Sequence, residues 1–234
     1  MNPAAVSSSL GDLFPPGAVV TELREEGDPR LLLPEEAAWV ARAVLKRVRE
    51  FAAGRLCARR ALAEFGIIDF PIRAAGDRQP IWPNAFVGGI THTAGFCAAV
   101  VARRARFAAI GIDTEIVGHV RTQIQPSICT PGEAAWIGSL PQAERAAAAT
   151  LIFSAKEAFY KCQYPIVAER LRFHDVSVEA LPWCTSAGAF RIHPLRRLLL
   201  DTHALPLLGR YRFHEGFVTA GLAVAVAAAA PAPA

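Results

Sequence analysis

Phe153-Ser154-Ala155-Lys156-Glu157-Ala158-Phe159-Tyr160-Lys161 reads as helix, and Gly111-Ile112-Asp113-Thr114-Glu115 upstream of it reads as strand. Side chains two apart on a strand share a face, so Asp113 and Glu115 point the same way. Side chains four apart on a helix also share a face, which pairs Glu157 with Lys161. A carboxylate dyad on a strand and a carboxylate–ammonium pair on a helix can converge on one metal ion and its anionic ligand. Two carboxylates about 4 Å apart at an effective dielectric near 20 repel by roughly 4 kcal/mol. A chain that buries such a pair needs a proton, an arginine or a cation between them. Magnesium suits the set, because it takes one or two protein carboxylates and completes its shell with water and phosphate oxygens. The alternative is a solvated strand end and a surface ion pair of little worth.

The rest of the chain bounds that choice. Its 234 residues are 53% hydrophobic and 20% charged, enough for one large domain or two small ones and unlike a disordered chain. A formal charge of +4 suits an acidic protein partner or a polyanionic cofactor. Without aromatic–basic interleaving or zinc-finger spacing, nucleic acid is not an expected partner. Cys57, Cys97, Cys129, Cys162 and Cys184 are scattered without CxxC spacing and read as reduced thiols of a cytoplasmic protein. No basic region followed by an apolar run opens the chain, so no secretion signal is expected. The apolar run from Phe217 to Ala230 is too short for a bilayer and is interrupted by Gly221, so no membrane association is expected either.

Working outward, the start is turn-rich, with a strand over Ala18–Leu23. Pro34-Glu35-Glu36 opens a helix or helix pair that runs to about Phe65, where Gly66 stops it. Phe96–Arg103 and Ala108–Asp113 read as neighbouring strands joined by the basic turn Arg103-Arg104-Ala105-Arg106. Gly88-Gly89 reads as a tight turn; the Gly-Lys-Ser/Thr ending of a P-loop is missing. Thr130-Pro131-Gly132-Glu133 is a capping box. A second helix starts at Pro141, runs through Phe153–Cys162 and is expected to end at Tyr164-Pro165. Strands at Val176–Ala180 and Ala189–His193 follow. A hairpin of Arg210–Phe213 with Phe217–Val226 turns at His214-Glu215-Gly216, and residues 229–234 form a frayed tail.

Five motifs, in order along the chain, resemble the signature of the Sfp-type phosphopantetheinyl transferases, and within them the enterobactin synthase component D-like group. They are Lys46-Arg47-Val48-Arg49-Glu50-Phe51 leading to Gly54-Arg55-Leu56-Cys57-Ala58-Arg59, Arg78-Gln79-Pro80-Ile81-Trp82-Pro83, Gly88-Gly89-Ile90-Thr91-His92, Gly111-Ile112-Asp113-Thr114-Glu115 and the Phe153–Lys161 helix. Two positions depart from the pattern: Thr91 stands where serine is usual, and Gly89 where serine is common.

The resemblance implies an α+β fold of two similar α/β subdomains related by pseudo-twofold symmetry, residues 1–108 and 109–228, with a ligand cleft at a seam near 106–118. It implies transfer of 4′-phosphopantetheine from coenzyme A to a serine of an apo acyl or peptidyl carrier protein, releasing adenosine 3′,5′-bisphosphate. Asp113, Glu115 and Glu157 would hold Mg2+, Lys161 would meet the pyrophosphate, and Glu157, directly or through a metal-bound water, would take the serine proton. His92 would meet the 3′-phosphate, with Thr91 offering a hydroxyl to the pyrophosphate or its neighbour. Arg55 and Arg59, four apart on one helix face, suit a polyanion, Arg59 ranking above Arg55; Arg47 and Arg78 are weaker candidates for the nucleotide end, and the alternative for the pair is a solvated face. Lys156 and Arg60 lie off these lines and are expected in solvent. The partner is expected to be an acidic carrier of secondary metabolism, polyketide or siderophore, and the chain a monomer. A magnesium-dependent pyrophosphohydrolase and a non-catalytic coenzyme A- or carrier-binding module are the competing readings.

Overall fold

In a computed structural model, the structure describes residues 9–200 and 207–226; the tail expected at 229–234 and the extreme N-terminus lie outside the described residues. The fold is a mixture of helices and two antiparallel sheets. The first sheet has three strands, β1 (Ala18–Leu23), β2 (Phe86–Thr93) and β3 (Phe96–Arg103), in the order β1-β3-β2. The central strand, β3, is apolar from Phe96 to Ala102 because both of its faces are covered. Cys97, Ala99 and Val101 pack with Ala53, Cys57, Ala58 and Leu62 of helix α2 (Leu45–Ala63). Phe96, Ala98, Val100 and Ala102 pack on the other face with Phe107, Ile110 and Ile112. Helix α1 (Pro34–Val40) precedes α2 and opens on proline with Glu35 and Glu36 in its first turn, as the dipole favours.

The second sheet is β4 (Phe107–Ile116), β8 (Phe217–Ala225), β7 (Leu208–His214), β6 (Ala187–Pro194) and β5 (Val176–Leu181), in that order. Short helices α3 (Gln125–Ile128) and α4 (Pro131–Ser139) lead into the long α5 (Gln142–Val167), whose Ala148, Leu151, Ala155, Phe159 and Cys162 share a core with Tyr211, Val218, Ala220 and Leu222 of the sheet. The capping box at Thr130 forms as expected. The β7–β8 hairpin turns on Glu215 and Gly216, both at positive φ.

Three sequence expectations are corrected here. β3 and β4 are consecutive but do not pair: β1 and β2 occupy both edges of β3, so β4 begins the other sheet. Gly88 and Gly89 lie inside β2 rather than in a turn. A side chain at Gly88 would strike Trp82, and one at Gly89 would come within 3.3 Å of the Ile112 nitrogen. Helix α5 also carries Pro165 within its last turn and ends two residues later, at Val167, capped by Ala168 with φ 51°.

Candidate active site at the junction of β4 and α5

β4 lies between the first sheet and α5. Its even-numbered Ile110 and Ile112 point into the first core, which turns Gly111 and Asp113 toward α5. Gly111 lets the helix backbone rest on the strand, since a Cβ there would collide with the Ala158 carbonyl oxygen. Ser154, Ala158 and Lys161 share that face of α5 at i, i+4 and i+7. Ser154 Oγ donates to the Asp113 main-chain carbonyl (3.0 Å), and Lys161 Nζ donates to Asp113 Oδ1 (2.6 Å). Sequence spacing thus brings strand and helix motifs together through one small residue and two hydrogen bonds.

The group is short of positive charge. Asp113 is buried, and its Oδ2 has no hydrogen-bond partner. Burial first, then Asp113 and Glu157, pushes the Glu115 carboxyl up to about 7, against the pull of Lys161. Glu157 is also raised, by burial and by Asp113. Burial would lower Lys161, yet its three carboxylate neighbours outweigh it and hold the ammonium above its ordinary value. With all three carboxylates ionised, one lysine leaves two negative charges unmatched, the charge of one divalent cation. The all-oxygen donor set and the orphaned Asp113 Oδ2 fit Mg2+. Among the described residues, no three His, Cys, Asp or Glu side chains are already gathered as a coordination group, and Lys161 holds one Asp113 oxygen.

Two clefts flank the group. The narrower, of about 270 Å³, runs along the seam between the sheets and is lined by Arg78, Trp82, Gly88, Arg104, Tyr160 and Lys161 among others. The wider, of about 590 Å³, lies on the Glu157 side with apolar walls at Phe159, Leu171, Phe173 and Val176. Tyr160 lines both; nothing in its helical spacing to Glu157 singled it out from an ordinary core aromatic.

The other expected site residues divide. Arg78 lines the seam cleft from a turn in which its own φ is 72°, a conformation unusual for a side-chain-bearing residue. His92 lines a third cleft, of about 380 Å³, with Lys46, Arg49 and Glu50. Its Nε2 lies 3.3 Å from Arg47 Nη1 and 3.4 Å from Glu50 Oε2, and burial holds the imidazole below its ordinary value. Thr91 is buried, and its hydroxyl accepts from the Thr114 amide (2.8 Å), tying β2 to β4 beside the carboxylates.

Arg55 and Arg59 are set apart from this group, contrary to the polyanion reading and to the solvated one. Arg55 is buried, stacks 3.8 Å over the Phe51 ring and donates to the Ile72 carbonyl (2.7 Å). Arg59 pairs with the fully buried Glu36, whose carboxylate also accepts from the Leu33 and Ile72 amides. Both arginines tie α2 to its own surroundings.

Lys156 is a further correction, since it is buried rather than solvated and pairs with Glu133. Glu133 was legible only as a helix cap; nothing in the spacing announced that its carboxylate would also hold a buried ammonium.

Two family models match the chain: "4′-phosphopantetheinyl transferase N-terminal domain" over residues 35–102 and "4′-phosphopantetheinyl transferase superfamily" over residues 109–214. The chain is 39% identical to 4′-phosphopantetheinyl transferase Svp of Streptomyces mobaraensis, over 86% of this chain and 80% of that protein. It is 33% identical to 4′-phosphopantetheinyl transferase Npt of Nocardia iowensis, over 91% and 98% respectively. Enterobactin synthase component D of Escherichia coli K12 is 36% identical over 58% of this chain and 67% of its own.

Proposed function

The chain belongs to the 4′-phosphopantetheinyl transferase superfamily and transfers 4′-phosphopantetheine from coenzyme A to carrier proteins, and from that premise we propose how its residues divide the work. Residues 1–108 and 109–228 act as two subdomains, with the chemistry at their seam. Asp113, Glu115 and Glu157 hold Mg2+. When bound, the cation neutralises charge on the pyrophosphate and stabilises the leaving phosphate. The observation that carries this reading is the pair of unmatched carboxylates beside a buried, unpartnered Asp113 oxygen.

Phosphoryl transfer asks mainly for positioning and charge neutralisation. Lys161, standing between the carboxylates and the seam cleft, supplies a point charge for a pyrophosphate oxygen. Arg78 extends positive charge along the same cleft, and His92 with Arg47 offers a second anion contact for the 3′-phosphate. Thr91 acts through Thr114, fixing the strand that carries the two acids. Glu157 faces the wider cleft, whose apolar walls suit the uncharged pantetheine arm and the approaching carrier serine. Its place beside that cleft puts a carboxylate within reach of the incoming hydroxyl, the first requirement of a general base. The serine oxygen forms the new bond to phosphorus, its proton passes to Glu157, and the bond to adenosine 3′,5′-bisphosphate breaks. The basic chain suits an acidic carrier, the siderophore and polyketide systems being the first candidates; the enzyme acts as a monomer in the cytoplasm.

Intact-protein mass spectrometry of an apo carrier incubated with this chain and coenzyme A, with Mg2+ or with EDTA, tests the reading. One phosphopantetheine gained only with Mg2+ supports it. Equal gain in EDTA removes the metal from the scheme, and coenzyme A cleaved without carrier modification makes the chain a hydrolase.

A further inference from the structure

The buried ion pair of Lys156 and Glu133 lies outside the carboxylate group, and the transfer chemistry makes no use of it. Lys156 Nζ donates to Glu133 Oε2 (2.8 Å), the Ile128 carbonyl (2.9 Å) and the Phe173 carbonyl (2.8 Å), which uses every proton an ammonium has. Glu133 accepts on both oxygens. Its Oε2 also accepts from the Thr130 amide and its Oε1 from the Val178 amide, both at 2.7 Å. The two side chains are 2% and 3% exposed. Between them they join α5, the end of α3, the first turn of α4 and the segment from Phe173 into β5.

An ion pair this deep is a poor device for stability, because the cost of taking both charges out of water rivals their attraction, and apolar residues of similar volume often do as well. What it supplies is direction: a fixed set of short bonds that allows the joined segments one arrangement. Those segments are the walls of the wider cleft. Ser127 beside Ile128, Phe173, and Asp175 and Val176 on the way to Val178 all line the cleft, and so does Lys156 next to Glu157, although its ammonium protons are all taken by the protein.

We propose that Lys156 is a positioning residue for the acceptor: with Glu133 it holds the walls of the wider cleft in the shape that admits the carrier serine to Glu157, and it touches neither substrate. This rests on the assignment of that cleft to the acceptor. Lys156→Met and Glu133→Gln are compared with the unaltered chain while coenzyme A and apo carrier are varied separately. The KM for carrier rises about tenfold or more and the KM for coenzyme A stays within about twofold, a split that general loss of fold does not produce. If either single variant fails to fold, Lys156→Met/Glu133→Leu removes both charges together, and in it the carrier KM stays high although the fold returns. Parallel changes for both substrates, or normal carrier kinetics in a folded variant, overturn the proposal. Leu171→Glu on the same wall separates the two readings. If it raises the carrier KM and the Lys156 variants do not, only the positioning role fails; if it changes nothing, the acceptor assignment fails and the proposal falls with it.

Discussion

Asp113 is where the charge balance of the site is decided: one oxygen holds Lys161, and the other is buried and unpartnered. Asp113→Asn keeps the volume and removes the charge. Transfer falls by more than about a hundredfold, since loss of a mere outer-shell partner of a metal costs about 10–100-fold. The fold survives because Lys161 keeps two other carboxylates nearby and is 31% exposed. Transfer assays in saturating Mg2+ beside a thermal melt check both halves, and normal transfer would falsify the metal role. His92→Ala removes a partner of a charged phosphate, an interaction of about 1.5–3 kcal/mol. The KM for coenzyme A therefore rises roughly tenfold or more, while dephospho-coenzyme A, which lacks that phosphate, is used as before. Equal losses with both donors would make His92 structural. Asp113, Glu115, Glu157 and Lys161 were legible because strand and helix periods put them on shared faces. Arg55 and Arg59 share a face just as truly, yet periodicity does not say what that face meets, and here it meets Phe51, Ile72 and a buried glutamate.

Elements were more readable than the contacts between them. β1 and β3 run over the residues their apolar patterns indicate, and the Thr130 box and the β7–β8 hairpin formed on local chemistry alone. The pairing of β3 was not readable, because a strand covered on both faces carries no alternation to show which neighbours its edges have. Helix α5 outran Pro165 by two residues, the left-handed Ala168 closing it with an amide hydrogen bond to the Tyr164 carbonyl. Its approach to β4 depends on Gly111, a residue that as sequence signals only a weakened strand. Gly111→Ala forces the helix outward. The expected loss of stability is about 1–3 kcal/mol, typical of an added methyl in a packed interior, and transfer declines with it. Denaturant unfolding reads the first effect; an unchanged midpoint would mean that the helix does not bear on this position.

For the molecule as a whole, the two sheets are not independent. Phe107, Ile110 and Ile112 of β4 complete the core on the far face of β3, so cutting the chain at residue 108 strips Ile110 and Ile112 from the core that holds Phe96, Ala98 and Val100. The isolated 1–108 segment therefore lacks a cooperative transition, whereas the intact chain unfolds as one unit; circular dichroism of both checks this, and a cooperatively folded fragment would make the halves autonomous. The same seam has a bearing on solubility. β4 is the last strand of its sheet, and in place of a neighbouring strand the Thr91 hydroxyl takes the Thr114 amide. An outermost strand with free amides is a template on which other chains can add themselves. Here β2 lies across that edge and the Thr91 hydroxyl takes one of its amides, so the seam that carries the acids also keeps the strand from pairing with another chain.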